Sequence, residues 1–205
     1  MYDITPPITA ELNVWPGDTP PSREVLLDMH RGDNLTLSTL RATVHLGAHA
    51  DAPSHYGTDA RAIDGQSLEP YLGPCQVLPV AAERGRRLQV GDLRGSIEAE
   101  RVLFPTGTFP DPEAWNEDFA GLTPDLVDHL ADRGVRLIGV DTPSVDLFHD
   151  KQLLAHQRFL ARDVAILEGL VLRAVPPGLY ELIALPLPLV GFDASPVRAV
   201  LRAST

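Results

Sequence analysis

Apolar residues in this chain come in short runs, cut repeatedly by glycine, proline and aspartate. "EVLLDMH" (24–30) and "NLTLSTLRATVHL" (34–46) predict two strands joined by a turn at "RGDN". "CQVLPVAA" (75–82), "RVLFPT" (101–106) and "VRLIGV" (135–140) are apolar on both faces and predict short buried strands. "VAILEGLVL" (164–172), "YELIALPLPLV" (180–190) and "VRAVLRA" (197–203) predict late strands. Two segments change period. "TPDLVDHLADRG" (123–134) predicts a helix, with Thr123 as N-cap, Pro124 in the first helical position and Gly134 just past the end. "KQLLAHQRFLAR" (151–162) predicts a second. Strand outweighs helix, and the two alternate only loosely. The pattern therefore predicts an α/β domain with mixed sheets and few helices.

Composition adds limits. With 44% hydrophobic residues over 205 positions, the chain has enough apolar material for a substantial core, and a single domain over residues 1–205 is expected. A formal net charge of -11 argues against nucleic acid or an anionic membrane surface as partner. One cysteine, Cys75, excludes an intrachain disulfide. "MYDITPPI" has neither a basic nor an apolar leader segment, and no apolar run is long enough to span a bilayer, so a cytoplasmic location is expected.

The chemistry concentrates in "HLGAHADAPSHY" (45–56), which holds three of the chain's seven histidines and an aspartate. In an extended chain His45, His49, Asp51 and His55 all point to one face, whereas on a helix they would scatter. Pro53 opposes a helix interior and cannot donate to a ladder, so it predicts an edge strand or one leaving its sheet. Gly47, on the same face, leaves a gap where an ion or substrate could approach. Three imidazoles and a carboxylate on one face are a first-row metal site by ligand type. The competing reading is a set of loop histidines satisfied by water. His30, His129 and His149 each read as surface or core-edge residues. His156 lies on the second predicted helix, twelve residues before Glu168. Glu168 interrupts a buried strand and needs a partner there, either a metal or an arginine such as Arg158 or Arg162. Trp15, in the turn "WPGDTPP", either caps a core or supplies a planar wall for an aromatic ligand.

"HLGAHADAPSH" resembles the HxGxHxDxPxH signature of the cyclase family of metal-dependent hydrolases. With "WPGDTPP", "LIGVDTPSVD" and "AILEGLVL" it is similar to that family's kynurenine formamidase (arylformamidase) subgroup over nearly the whole chain. The resemblance implies a swivelling β/β/α fold, a homodimer, two zinc ions per subunit, and cleavage of N-formyl-L-kynurenine to L-kynurenine and formate in tryptophan degradation. It implies that His45, His49 and Asp51 ligate the first zinc, that His156 ligates the second, and that Asp51 and Glu168 bridge both. It implies His55 as general acid/base and Trp15 as a substrate contact. Two rivals stand beside it: hydrolysis of a cyclic amide such as isatin on the same scaffold, and a non-catalytic, metal-stabilised binding protein. The latter needs a closed coordination shell, which the additional histidine His55 argues against.

Overall fold

A computed structural model describes residues 1–203. Its strands are β1 (Tyr2–Asp3), β2 (Ser22–Leu27), β3 (Leu37–Arg41), β4 (His49–Asp51), β5 (Leu72–Val77), β6 (Arg87–Leu88), β7 (Arg101–Phe104), β8 (Gly121–Leu122), β9 (Leu137–Val140), β10 (Ala165–Glu168), β11 (Gly178–Ile183), β12 (Ala194–Pro196) and β13 (Val200–Ala203). Two α-helices, α1 (Pro124–Ala131) and α2 (Leu154–Arg162), complete the regular structure with several 3-10 turns. Nine strands form one curled sheet in the order β1-β13-β11-β5-β7-β9-β10-β4-β12. The β5-β7-β9-β10 centre is parallel and both flanks are antiparallel. The mixed sheet and two helices are the α/β class that the hydrophobic pattern predicts.

Alternation along the central strands builds two cores. Leu103, Leu137 and Leu167 face one of them, together with Ala48, Ala50 and Ala52. Val102, Phe104, Ile138 and Ile166 face the other, where α1 and α2 lay down Leu126, Leu130 and Phe159. Helix α1 starts as its sequence dictates: the Thr123 hydroxyl accepts the Leu126 N–H at 3.2 Å, and Pro124 needs no donor partner. Arg158 and Arg162 tie α2 to α1 through Asp128, at 3.3 and 3.1 Å. Among the described residues, no helix is long and apolar enough to cross a membrane.

Several boundaries move, each for a local reason. The predicted strand at 164–172 stops at Glu168 because Gly169 turns to φ +65°. The one at 180–190 stops at Ile183, ahead of the alternating prolines in "LPLPL". Helix α2 starts at Leu154 rather than 151. Its first amides are capped from the preceding loop: Asp150 accepts the Leu154 N–H at 3.2 Å, and Asp146 accepts those of Ala155 and His156 at 2.9 and 3.0 Å. The segment 34–46 is strand only over 37–41, and the 22–41 hairpin lies outside the main sheet as a two-stranded ribbon. Strand β4 is not an edge: it pairs with β10 on one side and β12 on the other, and Pro53 then starts a 3-10 turn that carries the chain out of the sheet.

Candidate metal centre

The site is assembled by register. Strand β4 pairs with β10 so that Asp51 lies opposite Ile166 and His49 opposite Glu168. Directly opposed residues share a sheet face. His49, Asp51 and Glu168 therefore project together toward the helical side, while Ala50 and Leu167 project to the other core. Helix α2 delivers His156 to the same point. Only His49 and Asp51 converge by strand parity. His45 reaches the site from an irregular turn before β4, and His55 from the 3-10 turn after it. All six residues meet, but even spacing in an extended chain is the reason for two of them only.

Gly47 and Gly169 explain how closely the two segments meet. A β-carbon on Gly169 would lie 2.1 Å from the Gly47 carbonyl oxygen, and both glycines have positive φ. The Pro6 and Leu12 side chains fill the space beside Gly47, and its carbonyl packs against Gly169, so a side chain at 169 would wedge the ligand-bearing strands apart.

Each imidazole is held by one nitrogen and offers the other to the carboxylates. His49 Nδ1–H donates to the Gly47 carbonyl at 2.9 Å, which turns Nε2 toward Asp51 and Glu168, both at 3.4 Å. His156 Nδ1–H donates to Asp146 at 2.8 Å, and its Nε2 faces Asp51 at 3.3 Å and Glu168 at 3.6 Å. His45 contacts Asp193 through Nε2 at 3.1 Å and Asp51 through Nδ1 at 3.1 Å. An outer nitrogen anchored to an oxygen while the inner one points at a shared centre is how metal-binding imidazoles are oriented.

The unbonded atoms test whether a cation fits. His49 Nε2 and Asp51 Oδ1 are both buried without a hydrogen-bond partner. A neutral His49 that donates through Nδ1 presents a lone pair to two carboxylates, a repulsive arrangement unless positive charge lies between them. Burial disfavours charged forms at His49 and His156. Even so, the adjoining carboxylates, Asp51 and Glu168 at His49 and Asp146 as well at His156, push each imidazole up to about 10. Asp51, against its own desolvation, is held well below the usual carboxylate range by His156, His45 and His49. Asp51 and Glu168 are almost fully buried, and among the described residues no arginine offsets them: Arg158 and Arg162 are committed to Asp128 and Asp132. The arginine reading of Glu168 is thereby overturned. Donor atoms of His45, His49 and Asp51 lie within 4.8 Å of one another, as do those of Asp51, His55 and His156. Hard and borderline donors at this spacing suit a divalent cation, and the site fits a metal cofactor.

Two residues at the site carried no sequence signal. Asp146 joins the α2 N-terminus to the His156 ring and is itself gripped by Arg87 at 2.6 Å. Against desolvation, these contacts hold its carboxyl below the usual range. Asp193 reaches from the loop before β12 to His45, and to His55 Nδ1 at 3.4 Å. Each is one acidic residue in an irregular segment, without spacing to mark it. His30 and His149 lie exposed and His129 is partly covered on α1, all away from the cluster.

A cavity of about 380 Å³ opens over the centre, with His55 at its edge, more exposed than His45, His49 or His156. Its wall is aromatic. Trp15 packs on Phe148 at a centroid distance of 5.0 Å and on Trp115 at 5.6 Å, while still presenting a 37% exposed surface. Trp15 thus both completes an aromatic cluster and lines the cavity.

Two buried carboxylates shared among imidazoles, beneath an open cavity with a further histidine, define a metal-binding hydrolytic centre. The Cyclase family model matches residues 2–147, and the chain belongs to the cyclase family. It is 45% identical over 204 residues to a kynurenine formamidase from Bordetella avium, covering 98% of this chain and 97% of that one. A solved structure described as a potential metal-dependent hydrolase with cyclase activity superimposes with a TM-score of 0.84 at 29% identity, over 98% of this chain and 96% of the other. The fold is shared with isatin hydrolase A from Labrenzia aggregata, with a TM-score of 0.84 at 24% identity over 100% and 93% of the two chains.

Proposed function

We propose that this protein is a zinc-dependent arylformamidase that hydrolyses N-formyl-L-kynurenine to L-kynurenine and formate. The observation that carries the reading is the buried Asp51–Glu168 pair among three anchored imidazoles, beneath a cavity walled by Trp15. The 45% identity to a kynurenine formamidase names the substrate. His45, His49 and Asp51 would hold one zinc and His156 the second, with Asp51 and Glu168 shared between the two. Bound zinc would supply an acidified water and a sink for charge on the formyl oxygen.

The remaining work falls to side chains. Trp15 positions the aryl ring, and its aromatic neighbours keep that wall rigid. His55 takes the proton that water gives up and returns it to the aniline nitrogen as the C–N bond breaks. Asp193 at His55 Nδ1 leaves Nε2 as the nitrogen that exchanges the proton. Histidine suits both halves because its charge changes near neutral pH.

The reading extends to a homodimer, supported by the apolar Val25, Leu26, Leu37 and Leu40 that the 22–41 hairpin leaves in water. It also extends to the cytoplasm, where a chain with one buried cysteine needs no oxidising compartment. The deciding experiment is formate release from N-formyl-L-kynurenine by chelated and zinc-reconstituted protein, with isatin as parallel substrate. Zinc-restored turnover on the formamide is expected, and turnover on isatin alone would overturn the assignment. His55→Ala should keep its zinc by elemental analysis while turnover falls roughly 10²- to 10⁴-fold. Near wild-type turnover in that variant would remove His55 from the mechanism.

A further inference from the structure

The cavity over the metal centre carries one cation that nothing in the centre uses. Lys151 is the only lysine in the chain, in a molecule of net charge -11. It is exposed and lines the cavity, and among the described residues its ammonium has neither an ion pair nor a hydrogen bond. Its backbone is fixed from both sides. The preceding Asp150 is gripped by Arg87 and accepts the Gln152 N–H at 2.8 Å, just ahead of α2.

Four carboxylates line the same cavity, and three are committed. Glu168 belongs to the metal centre. Asp150 is bound to Arg87. Asp141 accepts the Thr106 and Gly107 N–H groups at 3.0 and 2.9 Å. The fourth, Asp18, is exposed and uses only Oδ1, on the Thr19 N–H at 2.6 Å. It closes the turn that holds Trp15, its own N–H donating to the Trp15 carbonyl at 2.9 Å. One uncommitted cation and one uncommitted anion therefore stand on two anchored segments of a cavity whose wall is otherwise largely aromatic and apolar.

We propose that Lys151 and Asp18 form a subsite for the α-amino-acid end of the substrate, Lys151 taking the carboxylate and Asp18 the ammonium. This rests on the arylformamidase reading and adds what selects the substrate's far end. With the formamide at the metal centre and the ring against Trp15, the amino-acid chain carries one negative and one positive group away from the reacting carbon. The subsite offers the complementary pair. Both contacts are made at a water-accessible site, so each is of modest strength and acts on KM rather than on kcat.

The test is steady-state kinetics of wild type, Lys151→Met, Lys151→Arg and Asp18→Asn on two substrates: N-formyl-L-kynurenine, and 2-formamidoacetophenone, which lacks the amino-acid carbons. Asp18→Asn keeps the acceptor for Thr19 and removes only the charge. Lys151→Met and Asp18→Asn should each raise KM for N-formyl-L-kynurenine roughly three- to tenfold with kcat retained. The change should be absent with 2-formamidoacetophenone, and Lys151→Arg should recover most of it. Calorimetry should find the same loss in L-kynurenine binding, a readout independent of turnover. Arg23→Met, which removes a positive charge on the hairpin, should alter neither substrate. Equal loss on both substrates, or no loss on either, would overturn the subsite while leaving the arylformamidase reading intact. Wild-type protein that cleaves neither substrate would overturn both.

Discussion

Strand β4 and the β2–β3 hairpin, less than ten residues apart in sequence, break the usual burial rule in opposite directions. At β4, and across from it on β10, histidine, aspartate and glutamate are buried. On the hairpin every β3 residue is exposed, Leu37 and Leu40 included, as are Val25 and Leu26 on β2. Neither region is explained by the fold of one chain. Buried carboxylates are tolerable only with compensating positive charge, and exposed leucines in a row only with a cover. The first is a demand for an ion, the second for a surface. On the proposed metal-bound homodimer, these departures from the burial rule are the two places where an ion and a partner subunit would complete the chain.

The comparison breaks most visibly at the buried end. Asp51→Ala and Glu168→Ala should each lose metal and at least about a thousandfold in turnover, since a buried unpaired group remains and the shared ligand is gone. Elemental analysis checks the metal, and a full complement in both variants would end the shared-ligand assignment. Asp146→Asn removes the charge behind His156 while leaving an acceptor; zinc affinity should fall roughly 10- to 100-fold, measured by chelator competition.

pH sharpens the same contrast. In chelated protein His49 and His156 are raised to about 10 from an ordinary 6.5. Their protonation therefore stabilises the fold fully below about pH 6.5, and that contribution is lost as pH climbs toward 10. Zinc ligands are unprotonated, so reconstituted protein should lack this slope. Melting temperatures between pH 6 and 10 with parallel curves for the two forms would contradict the mechanism. At the exposed end the effect is smallest on the protomer: Leu37→Ser with Leu40→Ser should change its stability by only about 0.5 kcal/mol. The same pair should shift light-scattering mass from dimer to monomer, and an unchanged dimer would place the interface elsewhere.

Much of this was legible because local rules agree with the fold. Thr123, Pro124 and Gly134 bracket α1 by capping chemistry alone, and the apolar runs at 101–106 and 135–140 are central strands. Sequence also singled out the six residues that meet at the centre. It could not supply the register that joins them. Parity accounts for His49 and Asp51, but His45 and His55 converge through turns whose geometry is tertiary. Asp146 and Asp193 were silent, each acting on a histidine far away in sequence. The hairpin was legible as strands but not as solvent-exposed ones, because alternation fixes which residues share a face and not what that face meets.

The pairing of β4 with β10 also sets an order of events during synthesis. His156 and Asp51 are separated by 105 residues, and the strand register that faces them needs Glu168 as well. Closing so long a loop is slow relative to forming α1. A chain still emerging from the ribosome can offer the histidines of the 45–56 segment to a metal, but not the enclosed centre. Full metal loading therefore waits for β10, and cation capture becomes a timestamp for the closure of the β4–β10 pairing.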